Sequence, residues 1–360
     1  MKDAPRILLA GIAKNEGAYL PEWVFFHLNL GVKGIVVYVN NTDDNSTKVL
    51  DKLGEQYPVK YKVVDGIDGN DDERLLNMIG DDFRMRAALH SKSYADIYLN
   101  TDPEEYDYIL FLDIDEFLCL DKSIESLAKT EIFEFPVIHF QWFAASGDDV
   151  PFSLLDKQLK GEMDQFTKYM VKTGSPDMKL YSSHIARLSC GRFKVSDSGV
   201  IIHRVLRSKK EYLALIARSN PSNSNLANGF KLNRRGWTNK GSKNLPARFS
   251  YLFENYETRF KGFCHSCGIE QEIETARANV LDRAAAVERN IEALNLQNEQ
   301  LGRVLAGTGL KHFSFLKWLK SELKERTIRA LFHSLVLQHI PIMSQIKFKL
   351  GIYKKDKFLD

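Results

Sequence analysis

The chain has 360 residues, of which 44% are hydrophobic and 27% charged, with a formal net charge of +3. That length holds one large α/β domain with an appendage, or two modest domains, at an ordinary soluble composition. The small net charge argues against a nucleic-acid partner, and no window approaches the ~18 consecutive apolar residues of a membrane span.

The opening MKDAPRILLAGIAKNE has no apolar leader core and runs straight into a first strand, Arg6 to Ile12, so no signal peptide is expected. Leu20, Trp23, Val24, Phe26, His27 and Leu30 then fall at helical spacing before Gly31. Gly34 to Val39 reads as the second strand, Asn40 to Thr47 as a polar loop, Lys48 to Leu53 as a helix and Val59 to Val64 as the third strand. Strand and helix in alternation predict a parallel sheet with right-handed crossovers. Neither a dinucleotide fingerprint nor a P-loop is present. Gly66 to Asp82 reads as an acidic surface loop, and Phe83 to Leu99 as a helix carrying Arg84, Arg86, His90 and Lys92.

The most informative stretch is Tyr108 to Leu120, YILFLDIDEFLCL. A continuous apolar β-prone run, expected of a strand buried on both faces, ends in Asp113 and Asp115 with Glu116 beside them. Such charges are costly unless solvent, a cation or hydrogen bonds receive them. In open α/β sheets, ligands bind at the carboxyl ends of strands. In an extended backbone the two aspartates point the same way, and two oxygen ligands with open positions suit Mg²⁺ or Mn²⁺ held jointly with substrate phosphates. Further on, Ile138 to Phe143 reads as a strand leading to Ala144–Asp149, and Tyr181 to Val205 as short strands ending in Ile201-Ile202-His203-Arg204.

KNEGAYLPEWVFFHLNLGV, VYVNNTDDNST, YILFLDIDEFL, HFQWFAASG and IIHRVLRSKKEY stand in this order. Together they resemble the family-2-like glycosyltransferases with a GT-A fold, over about residues 6 to 240. The branch concerned reads Lys-Asn-Glu, Trp and His on the first helix, and Asp-x-Asp-Glu-Phe. The resemblance implies an α/β GT-A catalytic domain over 1–248 with a sheet covered by helices on both faces. It further implies a nucleotide-sugar donor whose base and ribose meet Asn15, Glu16, Asn40 and Asp44. Asp113 would face the donor, and Asp113 and Asp115 would hold Mn²⁺ or Mg²⁺, with His203 completing the metal site or serving as a sheet histidine. Val39 stands where the family usually has Asp. Arg84, Arg86 and Lys92 are candidates for the donor's charge, or form a solvated helix face. An inverting transfer needs a carboxylate base. Asp149, then Asp148, are the candidates, against a plain Asp-rich turn, with Glu116 behind them. Trp142 and Phe143 are candidates for stacking on an acceptor sugar or for the core.

Residues 249–360 read as a helical region. Cys264-His265-Ser266-Cys267 has no second pair at zinc spacing, so ordinary thiols and a reducing, cytoplasmic setting are expected. From Glu270 to Leu305, Ile273, Val280, Val287, Leu294 and Leu301 form one row, and Ala284, Ile291 and Leu305 another, with Asn298 in line. This pattern predicts either a homodimeric coiled coil or a helix packed on its own domain. Residues 308–360 carry eleven Lys/Arg against four Asp/Glu, interleaved with aromatics, which suits peripheral contact with an anionic membrane or a packed helix with solvated lysines. The function expected is metal-dependent transfer of a sugar to a glycan or glycolipid acceptor, as in cell-surface polysaccharide or lipopolysaccharide synthesis. The rivals are a nucleotidyltransferase, whose phosphate loop is not found, and a non-catalytic scaffold acting through the long helix and basic tail.

Overall fold

The structure, a computed structural model, describes residues 4–79, 88–127, 135–188, 191–217 and 236–297. β1 (Ile7–Ala13), α1 (Leu20–Leu30), β2 (Gly34–Val39), α2 (Ser46–Gln56) and β3 (Val59–Val63) alternate as expected. The parallel half of the sheet runs β3-β2-β1-β4, with β4 at Tyr108–Phe111. β1 and β4 are buried along their whole length, which is why both read as apolar runs without alternation. α1 stops where Gly31 takes φ 107°, a left-handed conformation that costs glycine little, and its N–H donates to the His27 and Leu28 carbonyls. The acidic stretch expected as a loop instead carries α3 (Glu73–Ile79), whose Leu75, Met78 and Ile79 are buried. The next helix is α4 (Leu89–Leu99); Arg84 and Arg86 lie outside the described residues.

The other half is antiparallel and mixed: β7 (Lys160–Lys172) lies between β4 and β6 (Val137–Ala145). β10 (Lys194–His203) runs parallel to β6, and β5 (Glu116–Leu120) closes the edge. Between β6 and β10 in sequence, β8 (Met178–Ser182) and β9 (Ile185–Leu188) form a hairpin. β4 and β5 are joined directly by residues 112–115, yet three strands stand between them in the sheet. Flat, they would lie about 19 Å apart at ~4.8 Å per strand. The link from Phe111 to Glu116 spans at most roughly 17 Å, so the sheet curls, with the Asp-x-Asp link across its mouth.

Side chains of α1 hold the edge strand β5. Trp23 Nε1 donates to the Glu116 carbonyl at 3.0 Å, and the Leu118 N–H donates to His27 Nε2 at 3.3 Å. His27 Nδ1 in turn donates to the Trp23 carbonyl at 2.8 Å, so the ring is a neutral tautomer with one donor and one acceptor. Burial pushes its pKa from 6.5 down to about 3, against the smaller pull of the Trp23 carbonyl. The unfolded chain therefore takes up this proton before the native one does, and stability falls as pH drops from about 6.5 towards 3. At pH 5 the loss from this group is about 2 kcal/mol. Urea unfolding at pH 7 and pH 5 is expected to show a His27→Gln variant losing about 2 kcal/mol less than the wild type over that interval.

The core continues past residue 248. Phe249 and Phe253 of a 3₁₀ turn, and Phe260 and Phe263 of a helix over Tyr256–Cys267, share one apolar cluster with Trp23, Leu110 and Phe117. Numbering these helices in chain order, α5 is Lys209–Ala217, α6 Tyr256–Cys267 and α7 Glu270–Gln297. Cys264 and Cys267 are buried free thiols of α6, and burial raises Cys264 to about 12. α7 buries Ala276, Val280, Ala284 and Val287 against Tyr212, Leu213 and Ile216 of α5. Up to Val287, then, its apolar row is used within the chain. The side chains of Ile291, Leu294, Asn298, Leu301 and Leu305 lie outside the described residues, as does the basic tail 308–360. No described helix is long and apolar enough to cross a membrane.

Candidate active site

The link between β4 and β5 is a tight turn, closed by the Glu116 N–H donating to the Asp113 carbonyl at 3.0 Å. The sequence reading of an extended Asp-x-Asp with parallel side chains is therefore corrected: the two carboxylates face different neighbours. Asp113 meets α4 and β7. Its Oδ2 lies 3.1 Å from Lys168 Nζ and its Oδ1 3.7 Å from His90 Nε2, while the Tyr94 hydroxyl donates to Oδ1 at 3.4 Å. Burial works to raise the Asp113 pKa, but Lys168, then His90, bring it well below the ordinary carboxylate range. Asp115 meets the end of β10, where the register sets His203 opposite Glu116. Asp115 Oδ2 lies 3.7 Å from His203 Nε2, and its backbone carbonyl accepts from the Arg204 N–H at 2.7 Å. Glu116 is fully buried; its Oε2 accepts from the Asp113 N–H at 2.8 Å and lies 3.3 Å from Lys168. Burial, reinforced by Asp113 and Asp115, pushes the Glu116 carboxyl well up despite Lys168.

The carboxylate–imidazole pair fits a divalent cation. At 3.7 Å, Asp115 Oδ2 and His203 Nε2 are too far apart for a hydrogen bond but close to the roughly 3 Å that separates neighbouring ligands bound at ~2.1 Å. Among the described residues no group of three or more His, Cys, Asp or Glu side chains forms a cage by itself. Such an incomplete set is the usual one for a cation shared with substrate phosphates.

The expected donor loops meet each other through Asn15. It takes φ 55°, a conformation that asparagine tolerates. Its Oδ1 accepts from the N–H groups of Asp43 and Asp44 and from the Thr42 hydroxyl, while its own N–H donates to Thr42 Oγ1. Asp44 accepts from the Gly17 and Ser46 N–H groups, fastening the same two loops. Asn40 is buried at the end of β2 and donates its N–H to the Ala13 carbonyl. Glu16 is buried with Oε2 at 3.5 Å from Arg207, whose guanidinium lies over the Tyr19 ring at 3.3 Å. α7 seals this corner: the Asn45 amide donates to the Glu272 carbonyl and Arg283 pairs with Asp43. Lys92 stands apart from these loops, buried, with its ammonium 3.1 Å from the exposed Asp71.

On the acceptor side the candidates separate. Phe143 is 1% exposed in the core, so it presents no face to a sugar and that expectation is withdrawn. Its neighbour Trp142 is partly buried and packs against the edge of the same core. Its ring packs 4.1 Å from His203 and 5.0 Å from His184, so it braces both histidines. His184 is neutral in this setting: burial, with Lys168 adding, lowers its pKa to about 4. Asp148 is engaged by Arg204 Nη2 at 2.6 Å and by the Ser153 hydroxyl at 2.9 Å. Asp149 is exposed and accepts from the Asn239 amide at 3.2 Å. Lys168, His90, Tyr94, Arg204 and Arg207 went unassigned from sequence; no local pattern marks them, because β7, α4 and β10 converge only through the sheet register.

Residues 11–173 match the family model described as glycosyltransferase family 92. The matched segment runs from β1 through β7 and includes the Asp-x-Asp turn and Lys168; by class the protein is a glycosyltransferase. The likeness to family-2-like enzymes drawn from the motifs holds at that coarser level only. No curated protein matches the chain. Solved structures that it resembles include S. aureus TarS 1–349, at 12% identity over 80% of this chain and 91% of that one, with a TM-score of 0.30. A second is glucosyl-3-phosphoglycerate synthase from Mycobacterium tuberculosis in complex with Mn²⁺, UDP-glucose and phosphoglyceric acid, at 14% identity over 56% and 72%, TM-score 0.30. A third is the Mn/GDP form of core-mannan synthase A from Aspergillus fumigatus, at 10% identity over 40% and 43%, TM-score 0.24.

Proposed function

We propose that the protein transfers a sugar from a nucleotide-sugar donor to a glycan or glycolipid acceptor, using a divalent cation held by Asp115 and His203. One observation carries the reading. In a chain whose first half matches a glycosyltransferase family, an Asp-x-Asp turn closes the mouth of the curled sheet with a histidine 3.7 Å from its second carboxylate. Mn²⁺ or Mg²⁺ at that pair supplies Lewis-acid stabilisation of the negative charge that develops on the departing nucleoside diphosphate. The chain's own residues do the rest. Asn15, Asp44 and Asn40 fix the two loops that frame the donor's base and ribose. Asp113 faces the donor as a hydrogen-bond acceptor. The turn itself is held from both sides, by Trp23 through the Glu116 carbonyl and by Arg204 through the Asp115 carbonyl.

Asp149, exposed on the loop after β6, is the carboxylate we assign to take the acceptor hydroxyl's proton in an inverting transfer. Glu116 does not fill that role, because it is fully buried behind the turn. Contact with a membrane through the basic tail belongs to the same reading, since it would bring a lipid-linked acceptor to the enzyme. Calorimetric titration of UDP, GDP, CDP and ADP, with and without Mn²⁺, tests the central part: one of them binds, and only with the cation.

A further inference from the structure

Lys168 is the least expected residue of this site. It lies on β7, and its side chain has no exposure to solvent. Ammonium groups are almost never buried so completely unless paired. Here Nζ stands between two carboxylates, 3.1 Å from Asp113 Oδ2 and 3.3 Å from Glu116 Oε2, with the Tyr94 ring at 5.8 Å. The register accounts for its position. Phe111 pairs with Tyr169, so Lys168 is the first residue of β7 beyond the last β4 pair, level with the start of the turn. Glu116 closes the loop of contacts by accepting the Asp113 N–H. One end of the Asp-x-Asp turn is thus tied to β7 through a three-membered Asp113–Lys168–Glu116 cluster, and the other to β10 through His203 and Arg204.

We propose that Lys168 is a positioning residue for donor binding. By bridging Asp113 and the buried Glu116, it fixes the Asp113 carboxylate in the orientation in which it receives the nucleotide sugar. The inference rests on the glycosyltransferase reading of the site and goes beyond it. Lys168 touches neither donor nor cation; it acts through Asp113.

The test separates positioning from folding. Lys168→Met leaves two carboxylates facing each other and lowers the melting temperature. Lys168→Met combined with Glu116→Gln removes the bridge and one of the facing carboxylates, without lessening the negative charge at the turn, and recovers most of that loss. Positioning predicts that the double variant, though its melt is restored, binds the nucleoside diphosphate that the wild type prefers about tenfold or more weakly in Mn²⁺. That is the scale of one misplaced hydrogen bond to a charged group. Asp113→Asn, which keeps the Lys168–Glu116 pair, is expected to weaken binding to a similar degree. A double variant that binds like the wild type would overturn the proposal, and so would an Asp113→Asn protein of undiminished affinity. A wild type that binds no nucleoside diphosphate at all would instead remove the reading of the site, and the proposal with it.

Discussion

Replacing Asp115 with Asn is expected to lower sugar transfer by about 10³-fold, the scale of one lost electrostatic contact to developing transition-state charge. Asparagine keeps the shape of the turn and its backbone bond from Arg204, but supplies no charge to hold a cation against His203. Asp115 is not one of the two carboxylates that Lys168 bridges, so the loss of turnover is expected to far exceed any loss of stability. The check is turnover of the preferred nucleotide sugar by wild type and variant at matched Mn²⁺, with melting curves beside it. Loss of turnover with an unchanged melt places Asp115 at the chemistry; loss of both would assign it to the fold.

The second large effect falls on stability. Lys168→Met is expected to cost about 3–5 kcal/mol, because removing one partner of a buried ionic cluster leaves the others uncompensated. Burial is complete at Lys168 and at Glu116, so water cannot take over from the missing ammonium. Part of that cost is relieved as Glu116, whose carboxyl burial already pushes upward, takes a proton. Urea unfolding at pH 7 measures the loss, and adding Glu116→Gln should return most of it. A Lys168→Met protein within about 1 kcal/mol of wild type would mean that the two carboxylates settle without the lysine.

The parallel half of the fold was legible because its signals are local. Runs such as Ile109–Leu112 are apolar without alternation only when buried on both faces, and α1 carries its apolar stripe up to a glycine stop. The Asp-x-Asp was legible for a related reason: carboxylates directly after a buried strand need something to receive them. β7 was not read at all. Its sequence, KGEMDQFTKYMVK, mixes exposed polar residues with a buried lysine, and a lysine in such company reads as surface. The turn geometry at 113–116 was also invisible, since an extended strand and a tight turn share those residues. Asp148 reads as a candidate base because nothing nearby in sequence claims it, whereas Arg204, which does, lies 56 residues away. Trp142 and Phe143 stand at a shift in the β6–β7 register, which no local pattern in the sequence reveals. For α7, heptad spacing fits a partner helix and a neighbouring helix of the same chain equally well, and through Val287 the neighbour is α5.

The most direct test of the account is the titration of nucleoside diphosphates into wild type and Asp115→Ala, with Mn²⁺ and with chelator. One nucleoside diphosphate is expected to bind the wild type in Mn²⁺, raising stability by about 2.7 kcal/mol at 100 times its dissociation constant. No such binding is expected with chelator or in the variant. Failure of every nucleoside diphosphate to bind the folded wild type in Mn²⁺, or equal binding by Asp115→Ala, would contradict it.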